Sequence, residues 1–166
     1  MRAEDVQLRR VVAADWPALK ALRLEALQDT PVAYCERHAD AVREPDAAWR
    51  ARAARGAEGG DSFQVLARLG DRPVATSVGF LDGGDAVLAA VYVAPECRGA
   101  GLLDAMVEMV ADWARGRSAA RLRLLVHETN AAAQRAYARL GFVGTGHREP
   151  YPLDPSTQEV ELARAL

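Results

Sequence analysis

Apolar positions along the chain alternate in some stretches and recur at helical spacing in others, and this divides it into short elements. Residues 7–12 form a short strand candidate. From 16 to 27, Leu19, Leu22, Leu24 and Leu27, with interleaved alanines, recur at helical spacing. Asp15 stands at the N-cap position with Pro17 in the first turn, and Asp29-Thr30-Pro31 ends the helix. Residues 32–43 read as a loop or a short helix. A second helix over 47–55 presents Trp49, with Asp46 as its cap and Gly56 as its stop. Gly59-Gly60-Asp61 makes a turn. Three strands follow, 63–69, 73–80 and 86–93. Their connectors, Gly70-Asp71 and Asp82-Gly83-Gly84-Asp85, carry the residue types that hairpin turns require, so an antiparallel meander is predicted.

The second half is equally segmented. A helix over 102–115 has an inner stripe of Leu102, Met106, Met109 and Trp113, widened by Leu103, Val107 and Val110. Such a stripe is core packing. Gly116 sits at its C-terminal end. Residues 121–127 alternate and then turn apolar, as a central strand would. Asn130 caps a helix over 131–140 that Gly141 closes. A strand starts at 142–145, and 159–162 alternate as the last one. Pro150, Pro152 and Pro155 place 150–155 outside regular structure, in a surface loop that could border a pocket. No internal repeat, low-complexity tract or linker interrupts the pattern. A single α/β domain with a mixed sheet, spanning 1–166, is predicted.

The stretch 91–103 is the most informative. An apolar strand ends at Pro95, Arg98 and two glycines follow, and from Leu102 the pattern is helical. A strand feeding a glycine-rich turn into a helix leaves several backbone N–H groups converging on one point, reinforced by the helix dipole. That makes a phosphate-sized anion site, to which Arg98 can add a bidentate partner.

Composition narrows the field. At 166 residues the chain can bury a core as one domain. The net charge of −2 gives no global attraction to nucleic acid or an anionic membrane, so a phosphate-bearing ligand needs a local site. Lys20 is the only lysine, and nearly all positive charge is arginine. Cys35 and Cys97 are too few for a disulfide framework and lack metal-type spacing, so both read as buried or half-buried thiols and no metal is expected. The charged start, Met1 to Asp5, has no apolar signal core, and no run approaches the ~20 apolar residues that span a bilayer. A cytoplasmic protein is the expectation.

The order of meander, glycine turn, long helix, strand and Asn-led helix brings a resemblance into view. Arg98-Gly99-Ala100-Gly101-Leu102 resembles the pyrophosphate loop of the GNAT superfamily of N-acetyltransferases. The run from Asn130 to Tyr137, followed by Leu140-Gly141-Phe142, resembles that family's second motif. One departure is Leu103, where the family prefers Gly or Ala.

The resemblance implies a fold and a chemistry. The fold is a twisted, mostly antiparallel mixed sheet of six to seven strands flanked by about four helices. The donor is acetyl-coenzyme A, used as a co-substrate, and the acceptor is an amine of a small molecule or a protein. A bulge splays the strand ending at Val93 from its parallel neighbour, and the pantetheine arm pairs with backbone at Val91, Tyr92 and Val93. The amides of Gly99, Ala100, Gly101, Leu102 and Leu103 hold the pyrophosphate, and Asn130 hydrogen-bonds the pantetheine end. As a helix N-cap Asn130 is explained equally well. Tyr137 protonates the departing thiolate; a phenol at pKa ~10 is only modestly less acidic than a thiol near ~8.5. A strand amide near Val91 stabilises the oxyanion. The general base stays open among Asp85, His127, Glu36, the nearby His38, and water. Glu36, Asp40, Glu44 and Asp85 hint at a cationic acceptor.

Two other readings remain: a catalytically silent acyl-coenzyme A-binding sensor or structural module of the same fold, and a nucleotide-binding module built on the glycine turn alone. The second fits poorly, because a dinucleotide fingerprint belongs to a first βα turn. The protein is expected as a monomer or a homodimer, without nucleic-acid or membrane partners.

Overall fold

The computed structural model describes residues 5–166; residues 1–4, most of the charged start read for a missing signal core, lie outside the described residues. Seven strands form one sheet in the order β1-β2-β3-β4-β5-β7-β6. They are β1 (Val6–Arg10), β2 (Ser62–Leu69), β3 (Arg72–Asp82), β4 (Asp85–Val93), β5 (Arg121–His127), β6 (Val143–Tyr151) and β7 (Asp154–Ala165). Every pairing is antiparallel except β4 with β5, so the sheet is mixed and mostly antiparallel, and β2–β4 form the expected meander. The helices are α1 (Trp16–Asp29), a single turn α2 (His38–Ala41), α3 (Asp46–Glu58), α4 (Leu102–Arg115) and α5 (Ala131–Arg139).

Alternation along β2 assigns the helices to opposite faces. Phe63 stacks on Trp113 of α4, with ring centroids 5.7 Å apart, while the next residue, Gln64, lies under Gly56 of α3. Leu22 from α1, Leu66 from β2, Met106 from α4 and Leu122 from β5 are fully buried between these layers. Each such side chain contributes about 1.5–3 kcal/mol through removal from water. The buried stripe of α4 is Leu102, Met106, Val107, Val110, Ala111 and Ala114. Met109 and Trp113, placed at its centre by spacing, flank it, and Trp113 donates its indole N–H to the Gly59 carbonyl at 3.0 Å.

Several local expectations are corrected. Asp15 holds the expected N-cap position of α1, but its side chain does not cap the helix. Its carboxylate is buried, takes two hydrogen bonds from Arg9 (2.7 and 2.9 Å) and accepts the Val12 amide at 2.8 Å. Asp46 lies inside α3, whose N-cap is Pro45, and pairs with Lys20 at 2.9 Å. Gly56 does not stop α3, which runs to Glu58 and ends at Gly59 in the left-handed region. A Cβ on Gly56 would meet the Gln64 Cβ at 2.6 Å, so glycine is there to let the helix approach the sheet. The 150–155 segment is a hairpin: Tyr151 pairs with Asp154, and only Pro152 and Leu153 form the turn. Its prolines are tolerated because β6 is the edge strand, where a missing N–H faces no neighbour, and Pro155 is only the second residue of β7. Cys97 is buried but Cys35 is exposed, and neither is in a disulfide.

Candidate active site

β4 and β5 pair only at Ala86–Leu122 and Val87–Arg123, then part. The cause lies on the other side of β4. There Thr76 pairs with Tyr92 and Val78 with Ala89, so two residues, Ala90 and Val91, oppose Ser77 alone. This is a bulge, and Ala90 accommodates it at φ +50. Parallel strands that separate leave unpaired ladder groups along both edges, and the result is a cleft of 680 Å³ running down the splay.

β4 lines the cleft from Leu88 to Val93 and β5 from Leu124 to His127, with Asn130 and Tyr137 of the α5 region closing one side. At the other end stand Arg98, Gly99, Gly101, Leu102 and Leu103. Gly99 and Gly101 adopt φ +79 and +80, conformations that side-chain-bearing residues resist. This turn delivers α4 with no side-chain cap, and its first ladder bond is Ala105 N–H to Gly101 O at 3.1 Å. The amides of Leu102, Leu103 and Asp104 precede that ladder, and they carry the positive end of the helix dipole into the cleft. Leu103 lines the cleft half-buried, so the departure at this position leaves the amide in place.

Of the residues read from sequence for the donor, Val91, Tyr92, Val93, Arg98, Gly99, Gly101, Leu102, Leu103, Asn130 and Tyr137 all face this cleft, and Ala100 alone is not part of its wall. The guanidinium of Arg98 turns away from the loop: it pairs with Asp29 and donates Nε–H to the Val93 carbonyl at 3.0 Å. Asn130 performs its capping role, with Oδ1 accepting the Ala133 amide at 3.2 Å, which leaves its amide nitrogen for a ligand. Tyr137 is buried against Phe142, edge to face at 5.6 Å, and its hydroxyl has no hydrogen-bond partner among the described residues. Burial, and secondarily the neighbouring Tyr34, holds its pKa well above the usual phenol value, so it stays a proton donor.

The candidates for a base separate clearly. Asp85 sits at the paired end of β4, bound by Arg121 (2.8 Å) and Arg123 (3.1 Å). The Arg121 hydrogen bond, foremost, holds its carboxyl below the ordinary range. His127 accepts the Thr129 amide on Nδ1 at 3.2 Å. Its Nε2 lies 3.0 Å from Thr157 Oγ1, whose own proton goes to the Asp154 carbonyl. Both ring nitrogens are therefore engaged, with the proton assigned to Nε2 by this pattern. His38 opens α2 and borders neither the cleft nor the cavity beyond the bulge. Glu36 lines that second cavity but is held by Arg23 at 2.9 Å.

This second cavity, 490 Å³, lies between α1, α3 and the sheet. It shares Tyr34, Ala90 and Tyr92 with the cleft, so the two meet at the bulge. Tyr34 was missed from sequence because it sits in a segment without period. Its hydroxyl donates to the Val91 carbonyl at 2.8 Å, and its own carbonyl accepts the Tyr151 hydroxyl at 2.6 Å. Burial pushes its pKa up to about 12. Arg139, also missed, lines the cleft beside Asp104 and pairs with it at 2.9 Å. Glu159 is buried opposite His127 on β7 and takes the Cys35 thiol at 3.7 Å; burial raises its pKa. Among the described residues no cluster of His, Cys, Asp and Glu could hold a metal ion, and no helix is long and apolar enough to cross a membrane.

The family model described as the Acetyltransferase (GNAT) family matches residues 19–142. No curated protein sequence matches the chain. Among solved structures, the acetyltransferase of GNAT family from Streptococcus pneumoniae superposes with a TM-score of 0.81 at 18% identity, over 97% of this chain and 99% of that one. The PaiA N-acetyltransferase from Thermoplasma acidophilum, solved in complex with coenzyme A, gives 0.76 at 17% identity, over 94% and 97%. Nourseothricin acetyltransferase is 28% identical with a TM-score of 0.59, over 63% of this chain and 65% of that one, so the chain spans less than two thirds of its length.

Proposed function

The chain belongs to the GNAT acetyltransferase family, and from that membership we propose that it transfers the acetyl group of acetyl-coenzyme A to an amine by direct attack on the thioester. The observation that carries this reading is the meeting of two cavities at the β4 bulge, with the Tyr137 hydroxyl unengaged on the donor side. The donor cleft has what acetyl-coenzyme A requires: strand edges freed by the splay for the pantetheine amides, Asn130 at the thiol end, and the α4 amides for the pyrophosphate.

Residues of this chain then divide the work. The amine enters from the α1–α3 cavity and attacks the carbonyl carbon at the bulge. The negative charge that develops on oxygen falls on an amide of β4 near Val91, whose carbonyl is held by Tyr34. As the C–S bond breaks, the electron pair stays on sulfur, and Tyr137 gives it a proton. The amine's own surplus proton leaves to water in the open cavity, since Asp85, His127 and Glu36 are each engaged by other side chains. Burial of Tyr137 keeps the phenol protonated across the neutral range, at some cost in acid strength, which proximity to the nascent thiolate offsets.

The test is coenzyme A thiol release with a panel of amines. Wild-type protein should release thiol only when an amine is present. Tyr137→Phe should lower kcat about 100-fold with the KM for acetyl-coenzyme A nearly unchanged. Acetyl-coenzyme A binding with no release for any amine would favour the silent module instead.

A further inference from the structure

The second cavity carries more information than its position. Among the described residues its only charged wall residues are Arg23, Arg52, Arg55 and Glu36, three cations to one anion, in a chain whose net charge is −2. The four acidic residues that hinted at a cationic acceptor do not gather there. Asp85 is at the far end of β4 and bound to two arginines, and Glu44, outside the cavity wall, pairs with Arg52 at 3.7 Å. Glu36 is neutralised by Arg23 at 2.9 Å and Arg52 at 4.0 Å.

The arginines are also held ready. Arg23 lies over the Tyr34 ring at 4.7 Å, and Arg52 lies over Trp49 at 4.6 Å, so both planar groups are positioned by aromatic faces. Arg55 has no hydrogen bond or ion pair among the described residues. A second, independent observation points the same way. Trp49 is 3% exposed and lines this cavity, yet its buried indole N–H finds no acceptor. An unsatisfied buried donor in the same wall as an unpaired guanidinium, with two more guanidinium groups beside it, is a site built for an oxyanion.

We propose that the acceptor is a small amine carrying a carboxylate or phosphate, with its anionic group held by Arg23, Arg52 and Arg55 and its amine directed past Tyr34 to the bulge. This rests on the transferase reading above. Leu19 and Leu22 on the wall can accommodate an apolar branch beside the two ends.

The experiment titrates matched pairs into the 166-residue chain saturated with coenzyme A: L-leucine against 3-methylbutylamine, phosphoethanolamine against ethanolamine, with spermidine as the cationic extreme. At least one anionic member should bind about tenfold or more tightly than its uncharged-tail partner, and which pair responds separates carboxylate from phosphate. Arg55→Gln should erase most of that preference while leaving 3-methylbutylamine and acetyl-coenzyme A binding unchanged. A lost surface arginine with no ligand role would not alter the ratio within a pair. Equal binding within both pairs, tighter binding of spermidine, or an unchanged preference in Arg55→Gln would overturn the proposal. Thiol release on the same panel separates the two readings. Turnover without charge preference defeats this inference alone. Charge-selective binding without turnover defeats the transferase reading and leaves the anion site standing.

Discussion

Asp15 shows how much a single residue's neighbours decide. Its side chain is 6% exposed and is enclosed by Arg9, by Arg68 at 3.5 Å and by the Val12 amide, so it joins β1, β2 and the turn before α1. The Arg9 hydrogen bonds, above all, hold its folded pKa below the ordinary carboxylate value. A carboxyl with a depressed folded pKa adds stability above its unfolded value, near ~3.9, and loses it as pH falls through the folded one. Asp15→Asn should therefore lower unfolding free energy by about 2 kcal/mol at neutral pH. The gap to wild type should close as pH drops below ~4. Denaturant titrations at pH 7 and pH 3 check this, and a gap that persists undiminished at pH 3 would refute it. In the active site, too, chemistry hangs on neighbours: Tyr34 and Tyr137 are both buried phenols, but one hydroxyl is spent on the Val91 carbonyl and the other is unengaged.

At the level of elements, the β4–turn–α4 unit concentrates the constraints. Gly101 must hold φ +80 for α4 to present its first amides to the cleft, and a Cβ there would meet nothing within 4 Å. Gly101→Ala should thus cost about 1 kcal/mol through backbone conformation alone, and weaken acetyl-coenzyme A binding more than that as the amides shift. Gly56→Ala is the opposite case. Its backbone can take alanine, but the Gln64 Cβ at 2.6 Å cannot give way, so a destabilisation of about 1–3 kcal/mol is expected from overpacking. Thermal denaturation of both variants, with acetyl-coenzyme A titration of the first, checks the distinction.

These elements also show what could be read from the chain and what could not. The meander, α4, the glycine turn before it and the Asn130-led α5 were legible because periodicity and glycine placement are local. The alternation of β6 and β7 around Pro150 and Pro155 was not, since whether a proline is tolerated depends on which strand becomes the edge. Gly56 read as a helix stop because sequence does not reveal the sheet pressing on it. Tyr34 was invisible for the same kind of reason: its partner, Val91, lies 57 residues away, and only the bulge gives that carbonyl a meaning.

Across the whole molecule, one irregularity organises function. Two β4 residues opposite one on β3 turn the strand out of register, part it from β5 and open a cleft on one side that meets a cavity on the other. α1 and α3 wall the cavity, α4 and α5 border the cleft, and the sheet between them is broken only at the bulge where the two meet. Arg98, bound to Asp29 at the end of α1, links the two sides, and an anionic ligand at the glycine turn would compete for that guanidinium.

Acetyl-coenzyme A bound in the β4–β5 splay must leave its mark on amide hydrogen exchange measured with and without it. Exchange should slow at 88–93 and 99–104, with β1, β2 and the β6–β7 hairpin unaffected. Binding that leaves 88–93 and 99–104 unprotected, or that protects a different face of the sheet, would contradict it.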